Sequence, residues 1–325
     1  MAGKQFTTYE EQIDFLKSDK GLTITDEASA IQILKKESYF ALINGYKELF
    51  KRPENKKLYI SGATFYDIYA LYKFDERIRL IFLKYILVIE RHIKSLISYE
   101  FSLKYGNEQI AYFNANNYKY TAENLENTNK FLNKLSGIYK HSMEHKYIKH
   151  YCDKHKNVPL WVLMNVLTFG QVSQMFQCLT DSLQTSISKN FSCLRRNQVE
   201  NMLIFITFFR NVCAHNERLF NFTVSKRSIP NMYIHKYMKC IDQKGRNDLF
   251  VLVICFKYML DDDDFNDFSS ELQGAMDRYK SESQVLSKQK LLQQMGFPQD
   301  WMRILKAPYY EPLNLSNFRQ SNLIN

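Results

Sequence analysis

FYDIYALYKFDERIRLIFLKYILVIERHIKS, residues 65–95, sets apolar side chains at Ile68, Leu71, Tyr72, Ile78, Phe82, Leu83 and Ile86, and the pattern runs on through Leu96. Recurrence every three or four residues puts these side chains on one face of an α-helix, so the stretch predicts a long core helix. Thr64, followed three residues later by Asp67, marks its start. The most apolar part, Leu80–Ile89, is bounded by Arg79 and Glu90 and interrupted by Lys84. A membrane span needs about 20 apolar residues, so this segment is expected in a core and no membrane partner is expected.

Helical signals continue outward in both directions. Thr8 with Glu11 forms a capping box, and Asp26 can cap a second helix carrying Ile31, Ile33 and Leu34. An aromatic-rich stretch with Gly45 and Tyr46 ends at Phe50, and the polar, basic KRPENKK that follows reads as a connector. Downstream, a second long helical pattern occupies about residues 121–156, and Pro159 restarts the chain into WVLMNVLTFG, closed by Gly170. Val199, Met202, Leu203, Ile206 and Phe209 repeat the apolar pattern and lead into RNVCAHNERLFN, residues 210–221. Asp248–Leu260 reads as an apolar helix, Asp261–Asp264 as an acidic turn, and the Asn- and Ser-rich tail after about 310 as loose. These signals predict an N-terminal helical subdomain over 1–58, a helical core over 59–262, and a C-terminal helical extension and tail over 263–325.

Composition agrees with helices. Ten Gly and six Pro in 325 residues are too few for the turns that sheets demand, and 45% apolar residues suffice for a sizeable core. The 44 basic against 34 acidic side chains leave +10, a charge compatible with an anionic partner, nucleic acid or a membrane surface, of which nucleic acid is the one expected. Six irregularly spaced cysteines with no C-x-x-C pair read as buried reduced thiols, suited to a reducing compartment. The polar start MAGKQFTTYEEQ lacks a secretory-type apolar stretch, so a cytoplasmic location is expected.

Arg210, Asn211 and His215 place a guanidinium, a carboxamide and an imidazole at the end of an apolar helix. Cleaving RNA without a metal requires a base for the 2′-hydroxyl proton, an acid for the leaving oxygen and a cation for charge building on phosphorus oxygens. Histidine, with a reference pKa of about 6.5, serves the first two needs, and arginine grips phosphate in a bidentate fork. On a regular helix Asn211 and His215 share a face, whereas Arg210 and His215 diverge by roughly 140°. Either the backbone leaves the helix here, or Arg210 reaches round, or two copies of the segment complete a composite site. The last is favoured, which predicts a homodimer. Asn216 and Arg218 add to an unusual polar density and are expected to support the three.

With these residues in view, the chain resembles the abortive-infection (Abi) family of bacterial phage-defence proteins, within the HEPN superfamily of helical ribonuclease domains. RNVCAHNERLFN is similar to the family's Arg-Asn-x-x-x-His signature. Residues 21–50 resemble its N-terminal region, residues 65–95 its central Phe-Asp and Ile-Glu helix, and PLWVLMNVLTFGQVSQMF its Pro-x-Trp and Phe-Gly block. The resemblance implies an all-α, HEPN-like bundle with N- and C-terminal helical extensions. It implies Arg210 and His215 as the catalytic pair, Asn211 as the polar residue after the arginine, and Glu90 as the acidic position on the first long helix. It also implies endonucleolytic cleavage of RNA, with regulation by or binding to a small non-coding RNA in a toxin-antitoxin arrangement. No cofactor and no metal are expected. The alternative is a non-catalytic RNA-binding or sensing protein in which the same motif holds phosphates.

A basic segment from Tyr139 to Lys156 is the first candidate for RNA contact, through Lys140, Lys146, Tyr147, Lys149, Lys154 and Lys156, with Arg195 and Arg196 as additions. The competing reading is a solvated helix whose tyrosines face the core. His141 and His145 share the four-residue spacing of a metal pair, but lysines around them would repel a cation. Cys213 inside the motif reads as a structural thiol.

Overall fold

The computed structural model describes residues 5–191, 193–240, 245–283 and 285–310, and these build an all-α protein. In chain order the helices are α1 (Tyr9–Asp14), α2 (Glu27–Glu37), α3 (Phe65–Tyr105), α4 (Gln109–Phe113), α5 (Leu125–His141), α6 (Lys146–His150) and α7 (Leu160–Leu163). They continue with α8 (Phe169–Cys178), α9 (Asp181–Ser188), α10 (Arg196–Ala214), α11 (Tyr233–Tyr237), α12 (Leu249–Met259), α13 (Asp262–Glu282) and α14 (Lys288–Gln294). Among the described residues, β-type pairing is confined to isolated bridges such as Thr23 with Thr64.

The amphipathic stretch 65–95 lies in α3, 41 residues and therefore about 60 Å long. Its start is a closed capping box: the Asp67 N–H donates to Thr64 Oγ1 at 3.0 Å and the Thr64 N–H donates to the Asp67 carboxylate at 2.9 Å. The other oxygen of Asp67 accepts from the Ser283 hydroxyl at 2.6 Å, which ties the start of α3 to the end of α13. Arg77 pairs with Glu282 and Lys84 with Glu271, so α13 lies antiparallel along α3. Phe82 against Phe268 and Phe74 against Tyr279 fill the seam between them. Every residue of α12 is buried, as an all-round apolar helix requires.

Three expectations are corrected. The helical pattern over 121–156 is not continuous: the Ser142 hydroxyl donates to the Tyr139 carbonyl, His145 takes an extended conformation, and the chain turns between α5 and α6. Asp261–Asp264 is a helix start, with Asp261 capping α13 and three aspartates in its first turn, where the helix dipole favours negative charge. Cys178, Cys213 and Cys255 are buried, but Cys193 is exposed and Cys152 and Cys240 are half-buried. The tail after 310 lies outside the described residues, as do residues 1–4. Described residues of 1–58 and 263–325 share one hydrophobic core with the central segment, through Leu42, Tyr46, Phe50, Phe268 and Leu272. No helix among the described residues is long and apolar enough to cross a membrane.

Asp248 caps α12 and is buried, and its carboxylate accepts N–H bonds from Gly245 and Phe250. Burial pushes this carboxyl up to about 6 from an ordinary 3.8, against those backbone donors. A group raised in the folded state stabilises fully below its unfolded value and loses that contribution as pH rises through its folded value. Asp248→Asn should therefore gain on the wild type between pH 4 and 6, by on the order of 3 kcal/mol, and hold a constant difference above. Urea denaturation of both proteins at pH 4.5 and 7.5 checks this; an unchanged difference would contradict it.

Candidate active site

α10 builds the site. Phe209, Val212 and Cys213 anchor its last turns in the core, while Asn211 and His215 face outward and are exposed. Arg210, between the two faces, is half-buried, and its Nε is sealed from solvent with no hydrogen-bond partner. His215 is the first residue beyond the helix, at φ −97° and ψ 12°, so the backbone leaves the helix at the imidazole itself. Among the described residues, no hydrogen bond links the side chains of Arg210, Asn211 and His215. Burial pushes the Cys213 thiol up to about 12, consistent with a structural thiol.

The helix ends in a Schellman turn. His215 N–H donates to the Asn211 carbonyl at 2.9 Å, and Glu217 N–H donates back to the Val212 carbonyl at 3.0 Å. Closing this turn requires a left-handed residue, and Asn216 supplies it at φ +56°. Arg218 then donates to the Gly45 carbonyl, pinning the exit segment against the N-terminal segment. Both expected supporting residues thus hold the backbone beside His215. Asn216→Val, a β-branched side chain at positive φ, should cost about 1–2 kcal/mol, whereas Asn216→Gly should be within a few tenths of wild type. Thermal melts of the two variants give the comparison.

One node that the sequence reading passed over anchors the whole exit. Asp75, fully buried on α3, accepts from the Leu219 N–H and, at 2.7 Å, from the Phe220 N–H just after the motif. The same carboxylate accepts from the Tyr46 hydroxyl at 2.6 Å and pairs with Arg79 at 2.7 Å. Burial drives the Asp75 carboxyl upward, and the Tyr46 hydroxyl, Arg79 and the two amides oppose it. Arg79 also reaches the Glu217 carbonyl, and the Tyr46 ring stacks on Phe220. A signal was present: Asp75 and Arg79, four apart and of opposite charge, interrupt the apolar stripe of Ile68, Leu71 and Phe82. A charge pair in such a stripe has to be satisfied by something arriving from another element.

Glu90 stands elsewhere on α3. It is buried and pairs with Lys94 at 2.7 Å, its second oxygen is sealed without a partner, and no bond among the described residues joins it to Arg210 or His215. Lys140, Lys146, Tyr147, Lys149, Lys154 and Lys156 are all exposed, and among the described residues no ion pair engages these lysines. Tyr139, by contrast, is half-buried and bonds Gln109. Arg196 is ion-paired with Asp181 at the far end of α10, and Arg195 lines a separate cleft with Tyr233 and Tyr310. No group of three or more His, Cys, Asp or Glu side chains among the described residues is placed to hold a metal ion.

Among known families, the chain matches the one described as Abi-like protein, over residues 32–221. No curated protein and no solved structure matches the chain.

Proposed function

The chain belongs to the Abi-like protein family, whose name points to abortive-infection phage defence, and from that premise we propose that it is a toxin-like, metal-independent endoribonuclease of the HEPN type. The observation that carries the reading is the exit of α10. A conformationally braced helix end presents an exposed imidazole with no side-chain partner, next to an exposed carboxamide and a half-buried guanidinium whose Nε lacks a partner. A backbone fixed by surrounding bonds, from which side chains project with their reactive ends free, is the arrangement that transition-state stabilisation builds on. In the proposed reaction His215 takes the 2′-hydroxyl proton, the 2′-oxygen attacks phosphorus, and the bond to the 5′-oxygen breaks. The leaving oxygen takes up that proton from the imidazolium so formed, giving a 2′,3′-cyclic phosphate and a 5′-hydroxyl and restoring neutral His215. Arg210 offsets charge on the non-bridging oxygens and Asn211 orients phosphate or imidazole.

Two such helix ends from two copies would supply the groups that one helix aims apart. An outward row on α10, Asn197, Asn201, Ile204, Phe208, Asn211 and His215, alternates steps of four and three residues, the spacing along which helices pair, and Phe208 is 39% exposed in it. We therefore propose a homodimer with composite sites, and a small RNA as its regulator.

The test is to purify wild type and His215→Ala from cells and sequence the accompanying RNA by a method that captures cyclic-phosphate ends. New ends confined to wild type would establish the chemistry. Identical random fragments from both would leave the second reading, a non-catalytic RNA-binding protein, which the exposed Lys140 of α5 and Lys146 and Lys149 of α6, without ion-pair partners among the described residues, favour independently.

A further inference from the structure

Trp161 belongs to the Pro-x-Trp block, and the ribonuclease reading gives it no task. Its neighbours Leu160 and Val162 are buried, yet Trp161 is 44% exposed, an uncommon cost for the largest apolar side chain on so short a helix. It lines a groove of about 440 Å³ between α7 and the C-terminal half of α3, together with Tyr99, Leu103 and three serines, Ser95, Ser98 and Ser102. Tyr99 is 64% exposed and Leu103 70% exposed. Ser102 Oγ is buried with no hydrogen-bond partner, although Ser98 in the same groove bonds the Lys94 and Ser95 carbonyls. Two exposed aromatic side chains and an unsatisfied buried hydroxyl thus share one groove.

The surroundings say what would fill it. α7 packs on α6, and α6 carries Lys146 and Lys149, with Lys154 and Lys156 leading from it toward α7, all exposed and uncompensated by acidic partners among the described residues. A ligand suited to both features has an anionic backbone and flat faces that stack on aromatic rings, which is the chemistry of a single-stranded nucleic acid. A duplex keeps its bases stacked internally and offers the rings nothing.

We propose that the groove of Tyr99 and Trp161 is a stacking site for an unpaired base of RNA whose backbone runs along the lysines of α6. The inference rests on the RNA reading above but not on cleavage. It is tested with a 2′-O-methyl uridine decamer, which has no 2′-hydroxyl to be cut, so binding is read without chemistry. Trp161 and Trp301 are the two tryptophans, and Trp301 is buried against Phe297, so Trp161 is the solvent-exposed fluorophore. The decamer should quench its emission, and a duplex of equal length should not. Trp161→Phe should remove the quenching, and Trp161→Ala and Tyr99→Ala should each weaken binding by about five- to a hundredfold at fixed salt. Both side chains are exposed, so these variants are expected to fold.

Wild-type binding that both alanine variants match would overturn the groove and leave the nuclease reading standing. Failure of the wild type to bind any single strand would overturn both. A change in Trp161 emission with protein concentration alone would assign the groove to a second copy of the chain and overturn the proposal.

Discussion

Replacing His215 by alanine should lower the rate of RNA cleavage by about 10²–10⁴-fold, the usual worth of a positioned acid–base group. Its imidazole is exposed and makes no hydrogen bond or ion pair among the described residues, so stability should change by less than about 0.5 kcal/mol. Arg210→Ala should cost about 10²–10³-fold through lost charge stabilisation, and Arg210→Lys should recover little of it, because a point charge does not reproduce the bidentate fork. Activity and melting temperature, measured on the same preparations, separate a chemical loss from an unfolded sample. Mixing the two inactive variants carries the composite-site reading further. If each site takes Arg210 from one copy and His215 from the other, half the random dimers hold one intact site, and activity should return to about a quarter of wild type. Mixtures that stay inactive would argue for sites completed within one chain. Wild-type activity surviving in His215→Ala would remove His215 from the chemistry and end the HEPN-type assignment.

Asp75→Ala should cost about 3–5 kcal/mol, the largest stability loss expected outside the apolar core, because it leaves Arg79 as an unpaired buried charge. It also strips acceptors from the amides of Leu219 and Phe220 and from the Tyr46 hydroxyl. Asp75→Asn can still accept one or two of these bonds and should cost less. Removing Arg79 as well, as Asp75→Ala with Arg79→Met, should recover part of the loss, since the orphaned charge disappears with its partner gone. Denaturation curves of the three variants measure this directly. The node also carries a functional consequence: Asp75 holds the chain four residues beyond His215, so variants that still fold at low temperature should cleave more slowly than their folded fraction accounts for. An Asp75→Ala protein within about 1 kcal/mol of wild type would mean that Arg218 and the Asn216 turn suffice to hold the helix end.

These expectations differ in how far they were visible beforehand. The amphipathic period of residues 65–95, the Thr64–Asp67 cap, the scarcity of Gly and Pro and the apolar run into Arg210 are local properties, and they specified an all-α protein and the long helix α3. The polar cluster Arg210, Asn211 and His215 at a helix end was also legible, because a helix terminus is announced by the residues that flank it. Where tertiary packing competes with local preference, the sequence was silent or misleading. The break between α5 and α6 is not announced locally, since Ser142 and His145 carry no strong stop signal of their own and residues 121–156 keep a continuous helical pattern. Asp75 is given no role by its neighbours in sequence. Its role depends on Leu219 and Phe220 arriving from 144 and 145 residues away, and a contact of that range is decided by how α10 packs against α3. The exposure of Trp161 between two buried neighbours belongs to the same class. Hydrophobicity alone places a tryptophan inside, and only the packing of α7 on α3 determines which side of that short helix is left for solvent. Periodicity and end signals are written into neighbouring residues, so the sequence determined the all-α class, the long helix α3 and the place of the motif; burial of individual charges and rings is a property of the assembled surfaces, so the tertiary structure alone decided what braces His215 and which rings stay exposed.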